Sequence, residues 1–356
     1  MKFCMYNVTT AIKIGGIETF YWEVTKELSK RGIDAEIITA KGEYIKYSEL
    51  KIRQFDYTPR DKILDLGNRF KKWGERISFF KNAYPYLKKQ KYDYLLIHKP
   101  LDFFVSFFMK KKNPSLKTVF ISGGEDFYGF DKFFSKYVDF MFAVSGENAK
   151  IISKRYGREV KVLHNGVNIE LFKIDENIRK EFRKKYNLEN KKVLLSVGRV
   201  VGWKGFQLVL EAIRELDVVY VLIGDGEYLG ELKQKAKSLG IEDKVLFLGK
   251  KDNKELYKYM NMADIFIQPS IGHEAFGITL VEAMACGLPV IASYNGGMKD
   301  IIEDGKNGFF FKIGDVEELK NKIIKSFDYN FIDTREYVKN KFTWSHTVDK
   351  LLEGIK

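Results

Sequence analysis

Runs of uninterrupted apolar residues alternate along this chain with segments whose apolar residues return every third or fourth position, and that alternation predicts the elements. Near the start, 3–6 reads as a strand. Residues 17–31 then read as a helix, with Phe20, Val24 and Leu28 at i, i+4 and i+8 and Gly32 ending it, and 35–40 returns as a strand. Further strands are expected at 94–98, 117–122 and 140–145. After a charged helix at 178–186 the pattern becomes regular: strands at 193–198, 218–223, 245–248, 265–267, 290–292 and 309–311 alternate with helices at 206–215, 232–239, 254–260, from Ile278 onward, after Gly296-Gly297, and at 316–327. Nearly continuous apolar strands separated by amphipathic helices predict an α/β protein with buried parallel sheets.

Two stretches read two ways, and a third is amphipathic. In 69–81, Phe70, Trp73, Ile77 and Phe80 share one helical face flanked by lysines and arginines. Burial of that face in its own domain is favoured over an interfacial helix resting on an anionic bilayer. The aromatic run 103–109, followed by Lys110-Lys111-Lys112, is either a core helix or a surface anchor and is too short to span a bilayer. The tail 342–352 is amphipathic. No repeat of 20–50 residues and no low-complexity segment interrupts the pattern.

Length changes the picture by allowing two domains: 356 residues suffice for two cores of ordinary size. Forty-five per cent apolar with 31% charged residues is globular composition. No apolar run approaches the roughly 20 residues that span a bilayer, and the opening residues turn polar too soon for a signal peptide, so a cytosolic protein is expected. Cys4 and Cys286 make no disulfide framework, and the four histidines have no ligand spacing, so neither a structural zinc site nor a resident metal or cofactor is expected. The formal charge of +13 is uneven: residues 1–170 hold 31 Lys and Arg against 20 Asp and Glu. That basic half suits a membrane surface, a phosphorylated acceptor or nucleic acid, unless its lysines are simply dispersed and solvated.

The chemistry concentrates in 273–289. Gly277 breaks the chain before a helical period of Ile278, Val281, Met284 and Ala285, and Gly287 with Pro289 ends it. Glu274 then lies in the entry loop and Glu282 on the second turn, with free helix N–H groups between them. Such N–H groups suit a phosphate and the flanking carboxylates suit hydroxyls, a combination that describes a sugar nucleotide. On these residues alone, a loop acid and a solvated helix acid remain the alternative.

This stretch resembles the E-x7-E signature of retaining glycosyltransferases of family 4, which have the GT-B fold. In order along the chain, Gly15-Gly16-Ile17-Glu18, His164-Asn165-Gly166-Val167-Asn168, Ser196-Val197-Gly198-Arg199, Lys204-Gly205, Gly224-Asp225-Gly226, Gln268-Pro269-Ser270 and Gly296-Gly297 resemble the family's other motifs. The resemblance implies two facing Rossmann-like domains with parallel sheets. The first would span 1–166 on the acceptor side and the second 167–340 on the nucleotide-sugar side, with a helix in 341–356 crossing back to the first. It also implies a cleft site in which the Gly15-Gly16 loop lies opposite the helix at Ile278. Arg199 and Lys204 would meet a leaving diphosphate, Glu282 the ribose hydroxyls, Glu274 with Phe276 and Gly277 the donor sugar, and the Ile278 and Thr279 amides the phosphate; Gly224 completes the donor side. The resemblance further implies attack on the donor's own face, with the departing phosphate oxygen taking the acceptor proton. Glu274 as a nucleophile would instead require an acid carboxyl about 5 Å away, and none is identified.

One departure from the family stands out. Ser122 occupies the strand end where many members carry a histidine, leaving His98, Glu125 or Asp126 as substitutes on the acceptor and sugar side. The expected activity is transfer of a hexosyl unit from a UDP-sugar, with GDP-mannose as the other donor class, to a glycan or lipid-linked acceptor in surface-glycan assembly. The protein would be cytoplasmic or peripheral at the inner face of the membrane. A sugar-nucleotide epimerase or hydrolase on the same fold, and a basic nucleic-acid-binding protein without catalysis, are the alternatives. Dinucleotide binding is disfavoured, because Gly230 follows Gly226 by four residues and no acid sits about 20 residues on after a next strand.

Overall fold

The computed structural model describes residues 1–13 and 15–356. They form two compact units, residues 1–165 with 344–356, and residues 166–343.

The first unit is built on seven strands, β1 (Lys2–Tyr6), β2 (Asp34–Ala40), β3 (Lys51–Phe55), β4 (Tyr94–Ile97), β5 (Lys117–Ser122), β6 (Phe140–Ala143) and β7 (Lys161–Val162), in the order β3-β2-β1-β4-β5-β6-β7. Every pairing is parallel. Helices α1 (Gly16–Lys30), α2 (Asn68–Leu87), α3 (Phe103–Lys112), α4 (Asp131–Ser135) and α5 (Gly146–Tyr156) accompany the strands. In the run 103–109 that read two ways, Phe103, Phe104, Val105 and Met109 are buried and Phe108 is exposed, so α3 packs one side into the core and leaves the other at the surface. Helix α2 corrects the expected single buried face: Phe79, Phe80 and Ala83 pack inward, while Phe70 and Trp73, toward its N-terminal end, are exposed.

The second unit has six strands, β8 (Val193–Val197), β9 (Val219–Ile223), β10 (Val245–Gly249), β11 (Ile265–Gln268), β12 (Val290–Ser293) and β13 (Gly308–Phe311), in the order β10-β9-β8-β11-β12-β13. All are again parallel. Its helices are α6 (Glu176–Lys185), α7 (Phe206–Ala212), α8 (Leu229–Ser238), α9 (Leu256–Met262), α10 (Ile278–Ala285), α11 (Val316–Phe327) and α12 (Thr334–Lys341). Two helix expectations change. Helix α7 stops at Ala212 and not near 215, and Gly296-Gly297 open a 3-10 turn, Gly296–Asp300, rather than an α-helix.

The last helix, α13 (Trp344–Gly354), belongs to the first unit. There the Trp344 ring meets Phe20 edge-on at 5.9 Å, Arg31 donates to Asp349 and Ser345, and Lys161 donates to the Gly354 carbonyl. Within the second unit, Val167 and Thr343 form a parallel bridge, and the Val167 N–H donates to Phe342 O at 2.8 Å.

Candidate active site

Strand order fixes where a site can form in the second unit. From β8 the sheet grows through β9 to β10, and from β11 it grows the other way through β12 to β13. Loops leaving β8 and β11 therefore diverge, and a crevice opens beyond their carboxyl ends. Arg199 and the 3-10 turn Gly202–Lys204 follow β8, and Glu274 follows β11. At that edge the Lys204 ammonium pairs with Glu274 Oε1, which also accepts from Ser270 Oγ at 3.0 Å. The same ammonium lies 4.8 Å from the Trp203 ring centroid. Arg199 is exposed and has no ion-pair partner among the described residues.

Glycines let backbone approach backbone around this pair. Gly205 sits at φ +73°, and a Cβ there would lie 1.9 Å from Pro269 O. Beside it Trp203 O accepts the Ile271 and Gly272 N–H groups at 2.8 and 3.0 Å. On the other side Gly297 N donates to Glu274 O at 2.7 Å, and a Cβ on Gly296 (φ +51°) would lie 2.0 Å from that oxygen. Asn295 Nδ2 donates to Ser270 O and Gly272 O, and Ser293 Oγ donates to Ser270 O at 2.6 Å. The 269–275 loop is thus clamped between two glycine turns, which fixes the Glu274 carboxylate. Gly224 has a neighbouring role: its missing side chain admits the Gly198 carbonyl, holding the end of β9 against that of β8.

Helix α10 begins after Gly277, whose φ is +102°. Leu280 N bonds Gly277 O, whereas the Ile278 and Thr279 N–H groups have no hydrogen-bond partner among the described residues. Thr279 Oγ1 donates to Gln268 Oε1 at 3.1 Å. Leu280 through Ala285 are all buried, Glu282 included at 4% exposure, so the reading of Glu282 as a solvated helix acid is excluded. Burial, reinforced by the Glu282 charge, pushes the nearby Cys286 thiol up. The helix closes with Gly287 N–H to Met284 O and Leu288 N–H to Ala283 O, the paired bonds of a left-handed glycine terminus. Its last carbonyls are met by Thr334 Oγ1 on Met284 O and Arg335 on Ala285 O.

In the first unit the corresponding divergence lies between β1 and β4. Gly15 caps α1 in an extended conformation beside the buried Glu18 carboxylate, which accepts from Thr9 Oγ1; Gly16 is the first residue of the helix. His98 follows β4, buried against Phe20 and Tyr21, and burial lowers its pKa to about 3, with Lys99 adding to the shift. Ser122 is buried, with its hydroxyl donating to Gly124 O at 2.9 Å and Asn148 Nδ2 donating to its carbonyl, so it shapes the turn after β5. Glu125 is exposed on that turn. Asp126 pairs with Lys99 and Lys72 at 3.5 and 3.6 Å; burial raises its pKa, but the two lysines outweigh it and hold the carboxyl below the usual range. Ser270, Ser293, Asn295 and Arg335, which support the Glu274 loop and α10, had no individual signal in the sequence beyond Ser270's place in Gln268-Pro269-Ser270.

Two parallel sheets of Rossmann type, with a clamped carboxylate and cation beside an open helix start, define a glycosyltransferase architecture. Glycosyl transferases group 1 matches residues 178–342, and Glycosyltransferase Family 4 matches 14–171. The chain belongs to the family 4 glycosyltransferases and has the GT-B fold. It is 26% identical to an uncharacterized glycosyltransferase of Methanocaldococcus jannaschii over 94% of this chain and 93% of that protein. It is also 26% identical to the N-acetyl-alpha-D-glucosaminyl L-malate synthase of Bacillus anthracis, over 90% and 86%. Among solved structures, Anabaena HepE in complex with UDP and glucose superimposes with a TM-score of 0.83 at 22% identity, covering 100% of this chain and 99% of that one.

Proposed function

We propose that this protein transfers a hexosyl unit from a nucleoside-diphosphate sugar, a UDP-sugar by preference, to a glycan or lipid-linked acceptor, retaining the anomeric configuration. The observation that carries this reading is the Lys204–Glu274–Ser270 cluster beside the two unpartnered N–H groups of Ile278 and Thr279. Those N–H groups receive the diphosphate at the positive end of α10, and Lys204 and Arg199 offset the charge that develops as it leaves. Glu274 holds donor-sugar hydroxyls and Glu282 the ribose. A bond forms between the acceptor oxygen and the anomeric carbon while the bond to phosphate breaks, and the acceptor proton passes to the departing phosphate oxygen. Two side-chain cations and two backbone donors supply the electrostatic stabilisation, and no metal is assigned a role. Acceptor recognition is assigned to the first unit's strand-end loops at Glu125 and Asp126, since His98 is buried and the Ser122 hydroxyl is held within its own turn, with Gly15 and Gly16 on the donor. The UDP and glucose in the HepE complex support the choice of donor.

Thermal unfolding with UDP, GDP, ADP or NAD tests the donor assignment. A ligand at 100 times its Kd adds about 2.7 kcal/mol. UDP is expected to stabilise the wild type and to lose that effect in Glu282→Ala. Stabilisation by NAD alone, or by none of the four, overturns the reading.

A further inference from the structure

Seventeen large apolar side chains are exposed among the described residues, and six of them gather on one part of the first unit. Leu64 and Leu66, at 72% and 63% exposure, lie on the segment leading into α2. That segment is seated by Ile63 against Gly74, where a Cβ would come within 3.1 Å of Ile63 Cδ1. Phe70 and Trp73 continue the strip along the first turns of α2. The Trp73 ring lies 6.1 Å from Phe130, and Phe133, 59% exposed, stands one turn along α4. From there the rings of Phe133, Phe134 and Phe107 connect at 5.1 and 5.9 Å to the end of α3.

The unpaired charges around this strip are six cations and one acid, Asp61. Lys62, Arg69, Lys111, Lys112, Lys132 and Lys136 are exposed, and none has an ion-pair partner among the described residues. Lys111 lies over the Phe107 ring at 4.4 Å and Lys136 over Phe133 at 4.3 Å, so apolar surface and ammonium groups are interleaved. The acids in the same segments are otherwise engaged: Asp65 by Lys71, Glu75 by Arg60 and Asp131 by Arg155, leaving Asp61.

We infer that this strip is a docking surface for an anionic lipid bilayer. Aromatic and leucine tips enter the acyl boundary, and the long lysine stems carry their charges to the phosphate level. A patch of this size, rimmed by unpaired cations, calls for a partner that is both apolar and negatively charged, and a bilayer of anionic lipids is both. The inference is independent of the transferase reading, since no residue in it belongs to the Lys204–Glu274 site.

Co-sedimentation of the full chain with vesicles of phosphatidylcholine alone, and with vesicles containing 30% phosphatidylglycerol (about the charge density of an anionic leaflet), tests it. The wild type is expected to pellet with the anionic vesicles only and to be released by high salt. Lys132→Glu/Lys136→Glu and, separately, Phe133→Ala are each expected to lower partitioning about tenfold or more, with melting temperature and UDP stabilisation unchanged. Equal pelleting with both vesicle types, or with neither, overturns the proposal. So does a dimer in sedimentation velocity that Phe133→Ala dissociates while vesicles leave it intact, because a second copy would then cover the strip.

Discussion

Lys204 and Glu274 are 70 residues apart in sequence yet share one hydrogen bond. Removing the ammonium leaves Ser270 as the Glu274 carboxylate's side-chain partner among the described residues and, on the proposed function, takes away a cation that meets the diphosphate. Lys204→Ala should therefore lower kcat about a hundredfold or more while the circular dichroism spectrum stays native, and Glu282→Ala should likewise lose most activity. Near-normal turnover in either would contradict the assignment. Gly296→Ala makes a different prediction: a Cβ at φ +51° would meet Glu274 O, so the loop must shift, and stability and activity should fall together by about 2 kcal/mol and at least tenfold. His98 carries a pH signature. Folded, it stays neutral down to about pH 3, whereas the unfolded chain takes up its proton near pH 6.5. The unfolded state therefore binds the extra proton between those limits, and stability is lost as pH falls below 6.5. From pH 6.5 to 5 denaturant titrations should show wild type losing about 2 kcal/mol more than His98→Phe.

Elements with many buried apolar positions were legible, and those defined by other signals were not. Helix α10 followed from the spacing of Ile278, Val281 and Met284 and from Gly287 beyond it. By contrast α5 buries only Asn148, Ala149 and Ile152, too few for a period; its signals are the Ser145 cap, which accepts from Asn148 N–H, and Gly157 in the left-handed region. Strand β3 is an edge strand of polar sequence pairing only with β2, so its alternation is nearly invisible. Glu274 was legible from its place in the loop before α10 and Lys204 from motif resemblance, but their pairing was not, because nothing local to either residue reports a partner so distant. Arg335 had no signal: it caps α10 from 50 residues away. The termination of α10 can be tested directly. Gly287 has φ +85°, and a Cβ there would lie 2.9 Å from Ile174 Cδ1, so Gly287→Ala should cost about 1 kcal/mol or more in urea unfolding.

At the scale of the molecule, the chain makes one sheet, makes a second, and then returns to the first unit to finish with α13. The second unit is thus a single continuous segment whose two ends are tied to each other by the Val167–Thr343 bridge. Topologically it is an insertion between β7 and α13, a cassette with adjacent splice points. Such a segment can be exchanged between relatives by recombination at two neighbouring positions, without rethreading either sheet. Donor choice, if it resides in that cassette, can then evolve as a module while the sheet of the first unit stays as it is.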